Sequence, residues 1–446
     1  MWQERLLSPT KGIFTLIAIF FFVFLLYPNS TNPKTSRLAL KNQPVYKKHE
    51  TTCAAVLCNP SNRCSTWKAN QNYVWSDLSK AGVFRDLSTI QLSEGCRLRV
   101  KIEGRQSGQN EEIVLVQHAI INGEAENIDV CMISQFSVNR LDTFARAIEA
   151  WTGPISVAIY LTQPTDIDHL IKYFENQDNL QAYSRVTITL VKPSYSDSSH
   201  LAYPINHLRN IAITESSTDY IFVMDADFTP TKYLYNFLRS RLLPFVVYQA
   251  GNIPETAWVV PCFAIREEFA HLPMPQSYSE LRQLVGRNIA YITDPGAGHG
   301  PTLAAQIAMD RPLLHGNPLA YEVCFESQWE PYYVLHRSAP LYDARFKNQG
   351  GDKQSHALHL NAERYRFMVL REIFMIHKDH STLVWPGGGF EKSQKAATNW
   401  NYFDGFMKEI ESLYGSSARW PRGCSAEAIG WQDQRRDVLG LAAGAV

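Results

Sequence analysis

Tyr220-Ile-Phe-Val-Met-Asp-Ala-Asp-Phe-Thr-Pro230 is the stretch that decides how this chain is read. The apolar run from Tyr220 to Met224 predicts a buried strand, and that strand ends on Asp225-Ala226-Asp227. Side chains alternate along an extended segment, so Asp225 and Asp227 share one side of it. Two neighbouring carboxylates repel unless a cation lies between them. Hard oxygen donors of this kind suit Mn²⁺ or Mg²⁺ carrying a diphosphate. Side chains turned apart, or plugged by a neighbouring lysine with no opening beside them, would overturn the assignment of a cation gripped by this pair. The bland alternative is a solvated turn with Asp227 as a cap.

Outward from this stretch the chain alternates between strand and helix patterns. Strands are predicted at 129–133, 155–161, 185–191 and 220–224, with helices at 139–151, 166–176 and 201–216 between them. Ser134-Gln-Phe-Ser137 reads as the first turn. Such alternation predicts an α/β fold, a Rossmann-like, mostly parallel sheet with crossover helices. Ligands of these sheets collect beyond the carboxyl ends of the strands, where Ser134, Gln135 and the aspartate pair fall. After Pro230 the pattern is irregular, with strands predicted at 256–260, 365–370 and 373–376. The glycine-rich segment 294–300 lacks a phosphate-loop context and reads as a flexible loop over the cleft.

Residues 12–27 carry no charge, and at 1.5 Å rise they cover about 24 Å, which suits a membrane anchor in a thin bilayer. A cleaved signal peptide is the alternative, against which the run stays bulky to its end. Arg5 and Lys11 precede the span and Lys34, Arg37 and Lys41 follow it, so charge alone does not orient it. A short head before a long folded part predicts a lumenal catalytic domain. The organisation expected is a cytoplasmic tail at 1–11, an anchor at 12–27 and a stem at 28–50. A small Cys-bearing region at 51–126 follows, with strands at 97–102 and 113–118. The main domain at 127–415 and a tail at 416–446 complete it. Of the 8 cysteines, Cys53, Cys58, Cys64 and Cys96 are clustered. They could form two bridges in three pairings, with a zinc site as the rival reading. The 43 basic and 43 acidic residues balance, which excludes the basic footprint of a nucleic-acid binder.

Nine segments in order resemble glycosyltransferase family 49 over residues 128–385. They are Ser134-Gln-Phe-Ser-Val-Asn-Arg-Leu141, Trp151-Thr-Gly-Pro-Ile-Ser156, Tyr203-Pro-Ile-Asn-His-Leu-Arg-Asn-Ile211, Asp225-Ala-Asp227, Val260-Pro-Cys-Phe263, Gly298-His-Gly-Pro-Thr302, Trp329-Glu-Pro-Tyr332, Tyr342-Asp-Ala-Arg-Phe346 and Met375-Ile-His-Lys378. The resemblance implies a GT-A fold, a UDP-sugar donor, Mn²⁺, inversion at the anomeric carbon and a Golgi type II membrane setting. Asn348-Gln-Gly-Gly-Asp-Lys353 departs from the family pattern, which leaves glucuronic acid open as the donor sugar.

Asp225 and Asp227 are candidate metal ligands, Asp227 the more direct and Asp225 shared with the ribose. The resemblance adds His377 as a third ligand, with His380 as its substitute. Ser134, Gln135 and Arg140 lie where a helix N-terminus would face the nucleotide. Asn206 and Arg209 face the same cleft, and Arg209 would hold a sugar carboxylate or the aspartates. His299 would touch the donor phosphate. Inversion needs a general base. Glu330 is the candidate, between Trp329 and Tyr332 as sugar-stacking rings, and Asp343 and Asp352 are its rivals. For Glu330 the structural alternative is pairing with Arg337 or Arg345. The function expected is transfer from a UDP-sugar to a glycan or glycoprotein acceptor. The alternatives are a neutral donor sugar such as glucose, xylose or N-acetylglucosamine, and an inert tethered lectin.

Overall fold

The computed structural model describes residues 128–292, 319–379 and 399–419, apart from short internal gaps, together with the backbone of four earlier strands. The predicted anchor at 12–27, the stem, the strand at 97–102, the side chains of the four clustered cysteines, the loop bearing His299, and His380 lie outside the described residues. Among the described residues no helix is long and apolar enough to cross a membrane.

Strands β1 (Ala54–Cys58), β2 (Cys64–Lys68) and β3 (Gln91–Leu92) form a small antiparallel sheet in the order β2-β1-β3. Strand β4 (Glu112–Gln117), read as part of the same region, instead pairs with the main sheet. That sheet is built on β5 (Val130–Ser137), β6 (Ile155–Tyr160), β7 (Val186–Lys192) and β8 (Tyr220–Val223). These four run parallel in the order β8-β5-β6-β7. Between them along the chain lie α1 (Leu141–Ala150), α2 (Asp166–Glu175) and α3 (Ile205–Glu215). Every residue of β5 and β6 is buried, as expected of strands covered on both faces.

Strands β10 (Thr256–Val259), β13 (Ala320–Val323), β14 (Tyr333–His336) and β15 (Arg366–Leu370) extend the sheet to nine strands. The order is β13-β15-β10-β14-β8-β5-β6-β7-β4. Only four pairings are parallel, because β14 lies antiparallel to both β8 and β10, and β4 and β13 close the edges antiparallel. The sheet is therefore mixed rather than mostly parallel. The alternating pattern covers only its first half.

A second sheet has the order β12-β11-β16-β9, from β9 (Phe228–Pro230), β11 (Cys262–Ile265), β12 (Ala290–Ile292) and β16 (Met375–Lys378). The chain leaves the main sheet after Val223 and enters this one at Phe228. The aspartate pair occupies the junction.

The expected turn at Ser134–Ser137 is strand. Gln135, Phe136 and Ser137 pair with Ala158, Ile159 and Tyr160, and a 3₁₀ turn over Val138–Arg140 leads into α1. Trp151, fully buried, donates from Nε1 to the Pro154 carbonyl at 2.9 Å and stacks on Phe222. Helix α3 is buried from Ile205 to Ile213, and α4 (Asp352–Ala362) along its whole length. Polar residues on such helices need internal partners. Gly350 and Gly351, at φ 101° and 81°, adopt the left-handed conformation that turns the chain into α4.

Candidate active site

Met224, Ala226 and Phe228 are buried, whereas the side chains of Asp225 and Asp227 between them keep 19% and 24% of their surface accessible. Their neighbours differ. Asp225 Oδ1 accepts from Arg209 Nη2 at 2.8 Å. Its Oδ2 accepts from Tyr332 Oη at 2.7 Å and from Lys353 Nζ at 3.0 Å. Asp227 Oδ2 instead lies 3.8 Å from His377 Nε2. A lysine thus occupies one member of the pair.

Asp225 belongs to a buried charge cluster. Arg209, 1% exposed, also donates from Nη1 to Asp352 Oδ2 at 2.7 Å and to Asn206 Oδ1 at 2.8 Å. Lys353 lies 3.3 Å from Glu330 Oε2, and Gln354 Nε2 donates to Glu330 Oε1. Burial disfavours the Asp225 charge, but Lys353 and Arg209 more than offset it and hold the carboxyl well below its usual range. Burial likewise opposes the Lys353 charge, and Asp225 and Glu330 reverse that, leaving the ammonium well above an ordinary lysine. Asn206 Nδ2 donates to the carbonyls of Asp343 at 3.0 Å and Asp352 at 3.2 Å, tying α3 to the start of α4.

The three carboxylates considered as bases have different partners. Asp343 is bound by Arg345, which also grips Glu409. Burial raises its pKa, with Arg345 pulling the other way. Asp352 is bound by Arg209. Their side chains are 2% and 3% exposed, against 11% for Glu330. Glu330 has Lys353 and Gln354 as neighbours, while Arg345 is committed elsewhere and Arg337 donates to the Ser216 carbonyl at 2.7 Å. Trp329 and Tyr332 are 1% and 2% exposed, so the expected stacking rings are core. Trp329 packs on Phe367, and Tyr332 serves Asp225.

Ser134 and Gln135 are strand residues, so no helix N-terminus presents them. The buried Ser134 hydroxyl has no partner among the described residues. Gln135 accepts from the Tyr203 hydroxyl. Arg140, half-buried, precedes α1. The departing loop docks here, since Asn348 N donates to Tyr203 O at 2.7 Å and Tyr203 N to Asn348 Oδ1 at 2.9 Å.

Three neighbours had no role in the sequence reading. Lys353 approaches from 128 positions away, and no local pattern marks it. Asp379 lies 3.2 Å from His377 Nδ1, and Tyr291 Oη donates to it at 2.7 Å. The His377-Lys378-Asp379 spacing on a strand was the available signal for Asp379. Asp227 and His377 fit a divalent ion, because two bonds of about 2.1 Å can span their gap. Among the described residues no three His, Cys, Asp or Glu side chains converge as a metal group. A two-donor protein site suits an ion whose other ligands are phosphates and water.

The chain matches the family described as "Glycosyl-transferase for dystroglycan" over residues 129–194 and 174–415. It is 32% identical over 260 residues to a chicken (Gallus gallus) xylosyl- and glucuronyltransferase LARGE2s, covering 57% of this chain and 32% of that protein. It is 30% identical over 267 residues to mouse (Mus musculus) xylosyl- and glucuronyltransferase LARGE1, covering 59% of this chain and 33% of that protein. The chain thus spans about a third of the length of these relatives. The crystal structure of S. aureus TarS 1-349 in complex with UDP-GlcNAc overlays with TM-score 0.34 at 10% identity, covering 64% of this chain and 66% of that chain, too distant to bear on the fold.

Proposed function

Because the chain belongs to the family of glycosyltransferases for dystroglycan, we propose that it is a GT-A, metal-dependent enzyme moving a sugar from a UDP-sugar to a glycan acceptor with inversion. The observation that carries this reading is the junction between the two sheets. There the link from β8 to β9 carries Asp225 and Asp227, and β16 brings His377 to 3.8 Å from Asp227. Asp227 and His377 would hold Mn²⁺ or Mg²⁺. When bound, the ion would neutralise charge on the departing diphosphate.

The chain's own groups do the rest. Asp225, fixed by Arg209, Tyr332 and Lys353, is an ordered carboxylate facing the ribose rather than a second ligand. Glu330 removes the proton from the acceptor hydroxyl. That oxygen bonds the anomeric carbon as the carbon–oxygen bond to UDP breaks, which inverts the centre in one step. The half-exposed Arg140 and the Gln135–Tyr203 pair flank the nucleotide. Cys324 is disulfide-bonded, which suits an oxidising lumen and a Golgi type II setting behind the anchor at 12–27.

A glucuronate donor and a neutral donor remain two readings. One observation favours the neutral sugar, since the buried Arg209 is already committed to Asp225 and Asp352. The test is a UDP-sugar panel on the chain from residue 51, with Mn²⁺ and with chelator, read as UDP release and transfer. Metal-dependent release from one donor is expected. Sugar binding without UDP release from any donor would replace the enzyme with a lectin.

A further inference from the structure

Resting on the reading of Asp227 and His377 as metal ligands, we propose that Asp379 and Tyr291 are a positioning pair. They fix the His377 ring so that its Nε2 lone pair faces Asp227. His377 and Asp379 are two residues apart at the end of β16, and Asp379 N donates to the Ile265 carbonyl at 2.9 Å, which docks that end on β11. Asp379 Oδ1 is 3.2 Å from His377 Nδ1. Its other oxygen accepts from Tyr291 Oη, on β12, at 2.7 Å. Tyr291 is itself held, with the Arg266 guanidinium 5.1 Å from its ring centre and Arg266 Nε donating to the Asn288 carbonyl at 2.8 Å.

The proton assignment follows from what each group can do. A carboxylate only accepts, so His377 Nδ1 carries a proton. A neutral ring then bears its lone pair on Nε2, the atom 3.8 Å from Asp227 Oδ2. That gap is too long for a hydrogen bond. The Phe228 ring, 5.0 Å away, limits tilting of the imidazole. All four strands of the small sheet therefore serve one nitrogen. β9 follows Asp227 and carries Phe228, β16 carries His377, β11 docks Asp379 and β12 supplies Tyr291. A carboxylate behind a histidine fixes its tautomer and ring orientation as a ligand. The opposing arrangement is an imidazolium that pairs with both aspartates and binds no ion.

Two readouts test the pair on the whole chain with UDP present. One is the nitrogen-15 resonance pattern of His377, assigned by its loss in His377→Gln. The other is Mn²⁺ affinity measured by electron paramagnetic resonance. The wild type is expected to show a proton on Nδ1 and none on Nε2. Asp379→Leu should lose that tautomer and weaken Mn²⁺ by about 10–100-fold. Asp379→Asn still offers an accepting oxygen and should keep the tautomer and most of the affinity. Tyr291→Phe should weaken Mn²⁺ by a smaller factor. Mn²⁺ affinity unchanged in His377→Gln would overturn the metal reading itself. Affinity lost in His377→Gln but kept in Asp379→Leu, with the tautomer intact, would overturn the positioning pair alone.

Discussion

Asp225 and Asp227 are separated by one alanine, yet their surroundings give them different work. Asp225 neutralises Arg209 and Lys353 inside a cluster whose other members, Asp352 and Glu330, share the same cations. Removing one partner of a buried pair leaves a charge uncompensated, at a cost of about 3–5 kcal/mol. Asp225→Asn is therefore expected to lose stability of that order in urea unfolding. Lys353→Met should do the same through Asp225. Asp227 is 24% exposed on its side chain and lies beyond hydrogen-bond reach of His377. Asp227→Asn should shift stability by less than about 1 kcal/mol while losing metal-dependent turnover. Equal stability losses in the two asparagine variants would remove this division of labour. The sequence put both carboxylates on one side of an extended segment, whereas Ala226 and Asp227 lie in the turn between β8 and β9, and it said nothing of Lys353. Spacing along a strand reports which way a side chain points, and a partner brought by folding from a distant helix leaves no such trace.

At the level of elements, the central strands were legible because β5 to β8 are apolar runs buried on both faces. The end of β5 was misread because Ser134, Gln135 and Ser137 look like turn residues, whereas pairing with β6 keeps them extended. The small sheet was only partly legible, since β9 and β12 have three residues each, too few for a periodicity. Helix α4 offered no amphipathic stripe because it is buried all round, and its His356 shows what that entails. The ring accepts from Tyr333 and donates to the Pro340 carbonyl at 2.8 Å. Burial lowers its pKa from 6.5 to about 3. The unfolded chain then binds a proton that the folded chain refuses. Stability from this group is complete above pH 6.5 and falls as pH drops toward 3, by about 1.4 kcal/mol per unit. Unfolding at pH 7 and 4.5 should show a steeper acid loss in the wild type than in His356→Gln; equal slopes would refute it. Gly153 makes a separate case. A Cβ there would run into the Tyr235 ring, whose hydroxyl is held by the Asp129 carboxylate at 3.1 Å. Gly153→Ala should cost about 1–3 kcal/mol by overpacking, read as a lower melting temperature.

Taken as a whole, the molecule assembles its site from parts that meet only on folding. β8 and β9 deliver the aspartates, α3 and α4 the buried cations, and the small sheet His377 and its supports. Among the described residues the proposed ion has two donors, Asp227 and His377, so its remaining ligands would include phosphate oxygens and water. On the proposed reading metal and UDP would be coupled ligands, each raising the affinity of the other by the same factor. A ligand that binds only the folded state stabilises it by RT ln(1 + [L]/Kd), about 2.7 kcal/mol at a hundredfold excess over Kd. Mn²⁺ alone and UDP alone, both at millimolar concentration, should therefore move the melting temperature little, and together by more than the sum of their separate shifts. Asp227→Asn should abolish the excess while leaving any shift from UDP alone. A full shift from UDP without metal, unchanged by chelator, would mean that the diphosphate is held by protein groups only and would take the ion out of the site.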